Sequence, residues 1–119
     1  RQDLDPGLLV RLETLIVSDL LPSPTSRRAH YLLPGCAPAE KRGTMTNVHG
    51  RVQKFMKAVD PPGDARPEWE FLSELVGRVT GETGSKTLEG LFHQMAREVP
   101  TFQGLTWAAL GDTGVTVPI

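Results

Sequence analysis

Two different periods of apolar residues run along this chain, and the period changes at a proline-rich connector, residues 60–67. Upstream, residues 14–20 and 30–34 are short aliphatic runs, which are typical of strands that a parallel sheet buries on both faces. About a dozen residues separate the runs, the lower limit for a crossover between parallel neighbours. The pattern predicts Leu15–Asp19 and Tyr31–Leu33 as adjacent core strands.

Downstream of the connector, apolar residues recur at helical spacing in two stripes. The first begins near Glu68 and runs to Gly81. The second begins near Leu88, with Thr87 as its N-cap, and stops before Pro100. We expect both stripes to be core faces and both helices to pack against the sheet.

A hairpin or paired irregular loop is expected in the middle of the chain. The β-prone segments Gly43–Thr46 and Arg51–Phe55 flank Asn47-Val48-His49-Gly50. Asn and Gly are the residues that most easily adopt left-handed backbone. We expect one of the two to do so, and Arg51 or Gln53 to bond back to main-chain carbonyls.

Shorter signals complete the pattern. Asp5 is a candidate N-cap, Ser23 can cap a turn of helix, residues 106–110 suit another turn, and 115–117 suit a terminal strand. The predicted fold class is α/β: a small, mainly parallel sheet with a hairpin-like loop and two amphipathic helices in the C-terminal half. We interpret residues 1–119 as a single domain.

Composition narrows the possible partners. Thirteen Lys and Arg balance 14 Asp and Glu in 119 residues, for a net charge of -1, so nothing indicates binding to nucleic acid. The apolar runs are far shorter than the ~20 residues of a membrane span, which argues against direct membrane insertion. A single cysteine favours a reducing, cytoplasmic compartment. The first residue is not Met, which suggests a piece of a longer protein.

Common kinds of catalytic and metal sites find little support. Cys36 could pair with His30, His49 or His93 as an activated nucleophile, but Gly35-Cys36-Ala37 is more typical of a small packed residue. No two histidines have metal-ligand spacing, and no glycine pattern matches a phosphate loop. We therefore expect no catalytic residue and no metal site.

What remains is a cluster of polar side chains around the glycine-framed loop. Donors and acceptors in such a loop either satisfy its own backbone groups or face a cofactor or partner subunit, and the sequence is compatible with both interpretations. Glu40 and Lys41 adjoin the cluster. The candidate cofactor-binding residues are Gly43, Thr44, Thr46, Asn47, Gly50, Arg51 and Gln53.

A long ordered motif resembles the molybdopterin oxidoreductase family. It comprises Leu32-Leu33-Pro34, Glu40-Lys41-x-Gly43-Thr44-x-Thr46-Asn47-x-x-Gly50-Arg51-Val52-Gln53 and Pro61-Pro62-Gly63-x-Ala65-Arg66-Pro67-x-Trp69-Glu70. Within this family, the chain most resembles the large G subunit of bacterial NADH-quinone oxidoreductase, respiratory complex I. The chain departs from the family's usual pattern at four positions. The family often has an acidic residue at the positions of Arg42 and His49, Phe at that of Met45 and Thr at that of Val48.

The resemblance implies a segment of a larger protein. The family's iron–sulfur cysteines and catalytic Cys or selenocysteine lie upstream of this segment, so iron–sulfur clusters or molybdopterin would belong to the parent and none to the segment. The leading expectation is a non-catalytic structural module of the complex I subunit, supporting electron transfer from NADH to quinone. The alternatives are a segment of a molybdenum or tungsten bis-pterin oxidoreductase such as formate dehydrogenase, and a free-standing interaction domain. The expected partners are the rest of the parent chain and other subunits, in the cytoplasm or on the cytoplasmic face of the inner membrane.

Overall fold

Five short strands form two separate sheets in the computed structural model, which describes residues 5–82 and 84–118. Strands β1 (Ile16–Asp19) and β2 (Tyr31–Pro34) pair in parallel. Strands β3 (Gly43–Thr46), β4 (Arg51–Phe55) and β5 (Val115–Thr116) form an antiparallel sheet in the order β3-β4-β5. The α-helices are α1 (Pro6–Leu9), α2 (Glu68–Thr80) and α3 (Leu88–Glu98), and 3-10 helices span Ser26–Arg28, Pro38–Glu40 and Pro100–Phe102.

The α/β class is confirmed, and so is the parallel pairing of the first two strands. Ile16 lies opposite Tyr31, and Asp19 lies opposite Pro34. The sheet content differs from a mainly parallel arrangement, because three of the five strands belong to the antiparallel sheet. The physical reason is the short loop between β3 and β4, which folds them as a hairpin to which the C-terminal strand returns.

Most predicted caps and helix ends are in place. The Asp5 carboxylate accepts from the amide of Gly7 at 2.8 Å, and the Ser23 hydroxyl accepts from the amide of Ser26 at 3.1 Å. Thr87 Oγ1 accepts from the amide of Gly90 at 3.1 Å at the start of α3. Residues 107–113 form successive turns, in place of the turn of helix expected over residues 106–110.

The core lies between the antiparallel sheet and α3. Its buried members are Val52 of β4, Phe92 of α3, Leu110 and Val117. Trp107 packs edge-on against Phe92, with ring centroids 5.7 Å apart and an interplanar angle of 81°. The prediction that the second stripe is a core face is therefore confirmed.

The same prediction is wrong for α2, and burial of the first strands on both faces is also wrong. Phe71 of α2 is buried, but the aliphatic residues Leu72, Leu75, Val76 and Val79 are exposed, as is Ile16 of β1. The sequence pattern marks which face of an element is apolar, but it does not supply the neighbour that covers that face. The assignment of residues 1–119 to a single domain stays a prediction. None of the described helices has the length and apolar character to cross a membrane.

Candidate functional site

The loop between β3 and β4 is ordered by Asn47. The Asn47 side-chain oxygen accepts from the amides of His49 and Arg51, at 2.9 and 3.0 Å. The amide of Gly50 donates to the Asn47 carbonyl at 3.0 Å, and Gly50 has a φ of 74°. Gly50 thus takes the left-handed conformation expected of Asn47 or Gly50, because it carries no Cβ to oppose it.

Arg51 ties the hairpin to the C-terminal segment. Its Nη1 donates to the carbonyl of Thr113 at 3.1 Å, as the sequence led us to expect for Arg51 or Gln53. The amide of Val117 donates to the Gly50 carbonyl at 2.9 Å next to the β4–β5 pairing. These contacts favour the interpretation in which the loop's polar groups satisfy its own backbone.

The predicted binding residues divide between the two faces of the antiparallel sheet. Thr46 lies opposite Val52 and Thr44 opposite Lys54, so both threonines share the face of the core residue Val52. Side chains alternate along a strand, which places Gly43, Arg51 and Gln53 on the other face. The structure brings the seven residues into one hairpin, but no single flat ligand can touch every side chain from one side.

A second group of polar side chains, outside the predicted site on the hairpin, lies where β1 and β2 end. Lys41 Nζ is 2.5 Å from Glu68 Oε2, in the first turn of α2. A Cβ on Gly35 would lie 2.8 Å from Glu68 Oε1 and 3.0 Å from the Ser18 hydroxyl oxygen. We call Ser18, Asp19, Gly35, Lys41 and Glu68 the carboxyl-edge group, because parallel strands carry ligands at this end of a sheet.

Within the carboxyl-edge group, Asp19 is the last residue of β1. Its Oδ1 accepts from the amide of Leu20 at 2.9 Å, a local contact at the turn that follows the strand. Glu68 was missed as a member of any site. It stands 27 residues from Lys41, and no short-range pattern connects residues at that separation.

Cys36 is buried and its thiol is a poor nucleophile. Desolvation by burial raises the pKa of Cys36, and the nearby carboxylates of Glu40 and Glu68 raise it further. The thiol therefore stays protonated at neutral pH, whereas the thiolate is the reactive form. His30 is also occupied structurally, since its Nδ1 accepts from the amide of Leu15 at 2.9 Å.

The part of the chain that the structure describes offers few other candidates for a metal site or a ligand site. Over residues 5–82 and 84–118, no three His, Cys, Asp or Glu side chains gather as a metal-binding group. A groove of about 570 Å³ runs along α2 and the following connector, lined by Trp69 and charged residues that include Arg78 and Lys86. Carboxylates of Glu70, Glu74 and Glu82 line it as well, so its charges are mixed and select no ligand class.

Comparison with known proteins gives a family match. Residues 3–78 match the profile described as molybdopterin oxidoreductase. The alpha subunit of an NADPH-Fe(3+) oxidoreductase from Geobacter sulfurreducens is 41% identical over 109 residues, which is 92% of this chain and 12% of that protein. The alpha subunit of a formate dehydrogenase from Methanococcus maripaludis is 38% identical over 112 residues, or 92% of this chain and 17% of that protein.

A putative formate dehydrogenase of Bacillus subtilis is 31% identical over 103 residues, covering 87% of this chain and 10% of that protein. The chain thus spans between 10% and 17% of the length of these three relatives.

Proposed function

This chain belongs to the molybdopterin oxidoreductase family, and we propose that it is a segment of a bis-pterin molybdenum or tungsten oxidoreductase of the formate dehydrogenase kind. The proposed role of the segment is to hold part of the cofactor's surroundings, without supplying the reacting group. Its proposed partners are the remainder of the parent chain and the other subunits of the enzyme.

The observation that carries the proposal is the extent of the match. The alignment to a formate dehydrogenase alpha subunit has 38% identity and extends over 92% of this chain, so it covers most of the fold. The similar protein from Geobacter sulfurreducens is named as an NADPH-Fe(3+) oxidoreductase subunit. These names support a pterin oxidoreductase more strongly than a complex I G subunit, which the motif resemblance had put first.

The chemistry of the carboxyl-edge group fits a pterin. An aminopyrimidine ring presents N–H donors together with acceptor nitrogens and a carbonyl, and it needs matching partners in a buried site. The carboxylates of Asp19 and Glu68 are acceptors, and the hydroxyl of Ser18 both donates and accepts. Because this group lies where parallel strands end, we assign it as the first candidate for cofactor contact.

The exposed face of the hairpin is the second candidate. Only Nη1 of the Arg51 guanidinium donates within the described contacts, and an arginine has five N–H donors in all. Gln53 is exposed on the same face and can donate and accept. The other predicted residues then shape the backbone and form the loop's internal hydrogen bonds, rather than contacting the cofactor through their side chains. These residues are Gly43, Thr44, Thr46, Asn47 and Gly50.

The bound molybdenum or tungsten pterin would supply the two-electron chemistry. What this chain's residues do is bind and orient. Lys41 neutralises and fixes the Glu68 carboxylate, and Asn47 fixes the loop from which Arg51 and Gln53 project. A first layer held in place by such contacts keeps polar groups aligned without reorganisation at each turnover.

The experiment is purification of the longer protein in which this sequence occurs. Metal analysis for molybdenum and tungsten, fluorescence of the oxidised pterin after acid release, and formate-dependent reduction of a viologen dye are measured on the same sample. We expect stoichiometric metal, pterin, and formate oxidation. A protein with no pterin that supports NADH-dependent quinone reduction within a membrane complex would contradict the proposal and favour the complex I alternative.

A matched pair of variants tests the residue assignments. Gln53→Ala changes the exposed hairpin face, and Gln103→Ala changes an exposed glutamine in the loop after α3. We expect Gln53→Ala to lower pterin content or weaken the apparent binding of formate, with Gln103→Ala unchanged. Equal behaviour of the two variants would exclude the hairpin face and leave the carboxyl-edge group as the candidate.

A further inference from the structure

A continuous aliphatic stripe on α2 is exposed to solvent. It consists of Leu72, Leu75, Val76 and Val79, which are 51%, 44%, 53% and 78% exposed. We call these four residues the α2 stripe. An amphipathic helix in a folded protein turns such a stripe to the core, so exposure of all four side chains marks a surface that another element covers.

The parallel strand pair is also incomplete. In the part of the chain that is described, β1 pairs with β2 alone, and the outer edge of each strand is open. Ile16, Tyr31 and Leu32 are exposed, although their pattern is that of strands buried on both faces. Parallel sheets occur almost only with both faces covered, and two strands alone are marginal in water.

We propose that the α2 stripe and the open edges of β1 and β2 are docking surfaces for further strands of the longer polypeptide that carries this sequence. The occupant is the remainder of that polypeptide, with one parallel strand carrying aliphatic side chains on both faces at each open edge, and with the apolar residues that flank these strands lying on the α2 stripe. This inference rests on the proposed function in one respect, namely that the sequence is a segment of a longer oxidoreductase chain.

The lengths of the relatives support this occupant. The segment matched in the Geobacter sulfurreducens protein is 12% of that protein, and the segment matched in the Methanococcus maripaludis protein is 17%. Most of the polypeptide of both relatives therefore lies outside the matched segment. A second copy of this chain fits less well, because the same strand edge paired across a two-fold axis runs antiparallel to itself, unlike β1 and β2.

Cysteine labelling tests the proposal. Val76→Cys lies on the α2 stripe, and Glu74→Cys lies on the charged face of the same helix, where the Glu74 side chain is 56% exposed. Each variant is made in the 119-residue chain and in the longer protein. Both are treated with N-ethylmaleimide, and the labelled site is identified by peptide mass spectrometry. Val79→Cys serves as a second site on the stripe should Val76→Cys fold poorly.

We expect the two cysteines to react at similar rates in the 119-residue chain. In the longer protein, Val76→Cys is expected to react about ten times more slowly than Glu74→Cys, since labelling then requires a local opening. Hydrogen exchange of the peptides covering β1 and β2 should slow in parallel. Equal labelling rates in the longer protein would overturn the proposal, and so would protection that grows with concentration in the 119-residue chain, which indicates a second copy.

The labelling test and the test of the proposed function can fail independently of each other. The pterin content of the longer protein is measured on the same preparation. A longer protein without pterin whose Val76→Cys is protected would retain the docking surface and reject the cofactor role. A pterin-loaded protein whose Val76→Cys reacts freely would support the cofactor role and reject the docking surface.

Discussion

The ammonium of Lys41 lies 2.5 Å from the carboxylate of Glu68, and the contact joins the segment after β2 to the first turn of α2. The two side chains keep 19% and 33% of their exposure, so water screens this pair less than the other ion pairs among the described residues. The other Glu68 oxygen approaches Gly35, where a Cβ would lie 2.8 Å away. The pair therefore fixes the start of α2 over the end of the parallel strands.

Lys41→Met is expected to lower the free energy of unfolding by about 1 kcal/mol, the upper part of the range for partly exposed pairs. Methionine keeps most of the apolar stem of the side chain and removes the charge, which leaves Glu68 without its cation. Urea denaturation of the 119-residue chain measures the effect. Lys57→Met is the control, because the Lys57–Asp60 pair is exposed, at 47% and 90%, and should change little. Equal losses in both variants would count against a positioning role for Lys41.

Gly50→Ala is expected to destabilise the fold by about 1–2 kcal/mol, the cost of placing a Cβ in left-handed backbone. Gly50 has a φ of 74°, and its loop depends on the bonds from Asn47. Gly84→Ala is the matched control, since Gly84 has no positive φ and a Cβ there meets nothing within 4 Å. Thermal unfolding of the two variants compares them directly, and indistinguishable midpoints would show that the loop is not structural.

Local signals in the sequence predicted much of this structure. Thr87, Gly81 and the Asn47-x-x-Gly50 loop all behave as their residue types indicate, with Gly81 at a φ of 74° after α2. Each of these features depends on neighbours within a few residues. Their physical cause is side-chain capping or the lack of a Cβ, and both can be recognised from the residue type alone.

Contacts between distant residues were not predictable in the same way. The Lys41–Glu68 pair and the Arg51 bond to Thr113 join residues 27 and 62 positions apart. Periodicity indicated that α2 has an apolar face but not what lies against it, which is why its burial was predicted wrongly. For the candidate site, the hairpin was found from its motif, whereas Glu68 entered only through the three-dimensional arrangement.

Burial of Cys36 predicts a specific loss of stability at alkaline pH. Desolvation raises the pKa of the folded thiol above its unfolded value, so the folded state binds the proton more tightly. The contribution is fully present below the unfolded pKa, about 8.5, and is lost as the pH rises through the higher folded pKa. Cys36→Ala lacks this titration.

The measurement is the free energy of unfolding of both proteins at neutral and alkaline pH. Cys36→Ala leaves a small cavity and is expected to be less stable at neutral pH. The difference between the two proteins should shrink as the pH rises, because only the Cys36 protein loses the thiol contribution. A difference that stays constant with pH would show that the thiol is not held protonated by the fold.

Gly114→Ala is expected to be the most damaging of these substitutions. Gly114 has a φ of 79°, and a Cβ there would lie 2.3 Å from the Val52 carbonyl oxygen and 2.6 Å from Gln53 Cγ. Val52 is a core residue of β4, so its backbone cannot yield without separating β4 from β5. Backbone strain and overpacking therefore act together, and we expect a loss of at least about 3 kcal/mol in the free energy of unfolding.

Gly104→Ala isolates the backbone strain from the steric part of this loss. Gly104 has a φ of 82°, with nothing within 4 Å of its Cβ position. We expect about 1–2 kcal/mol for Gly104→Ala from strain alone, so the excess for Gly114→Ala measures the cost of the close approach to Val52. Urea denaturation of the two variants side by side gives both values. Equal losses would mean that the approach of Gly114 to Val52 is looser than the structure has it.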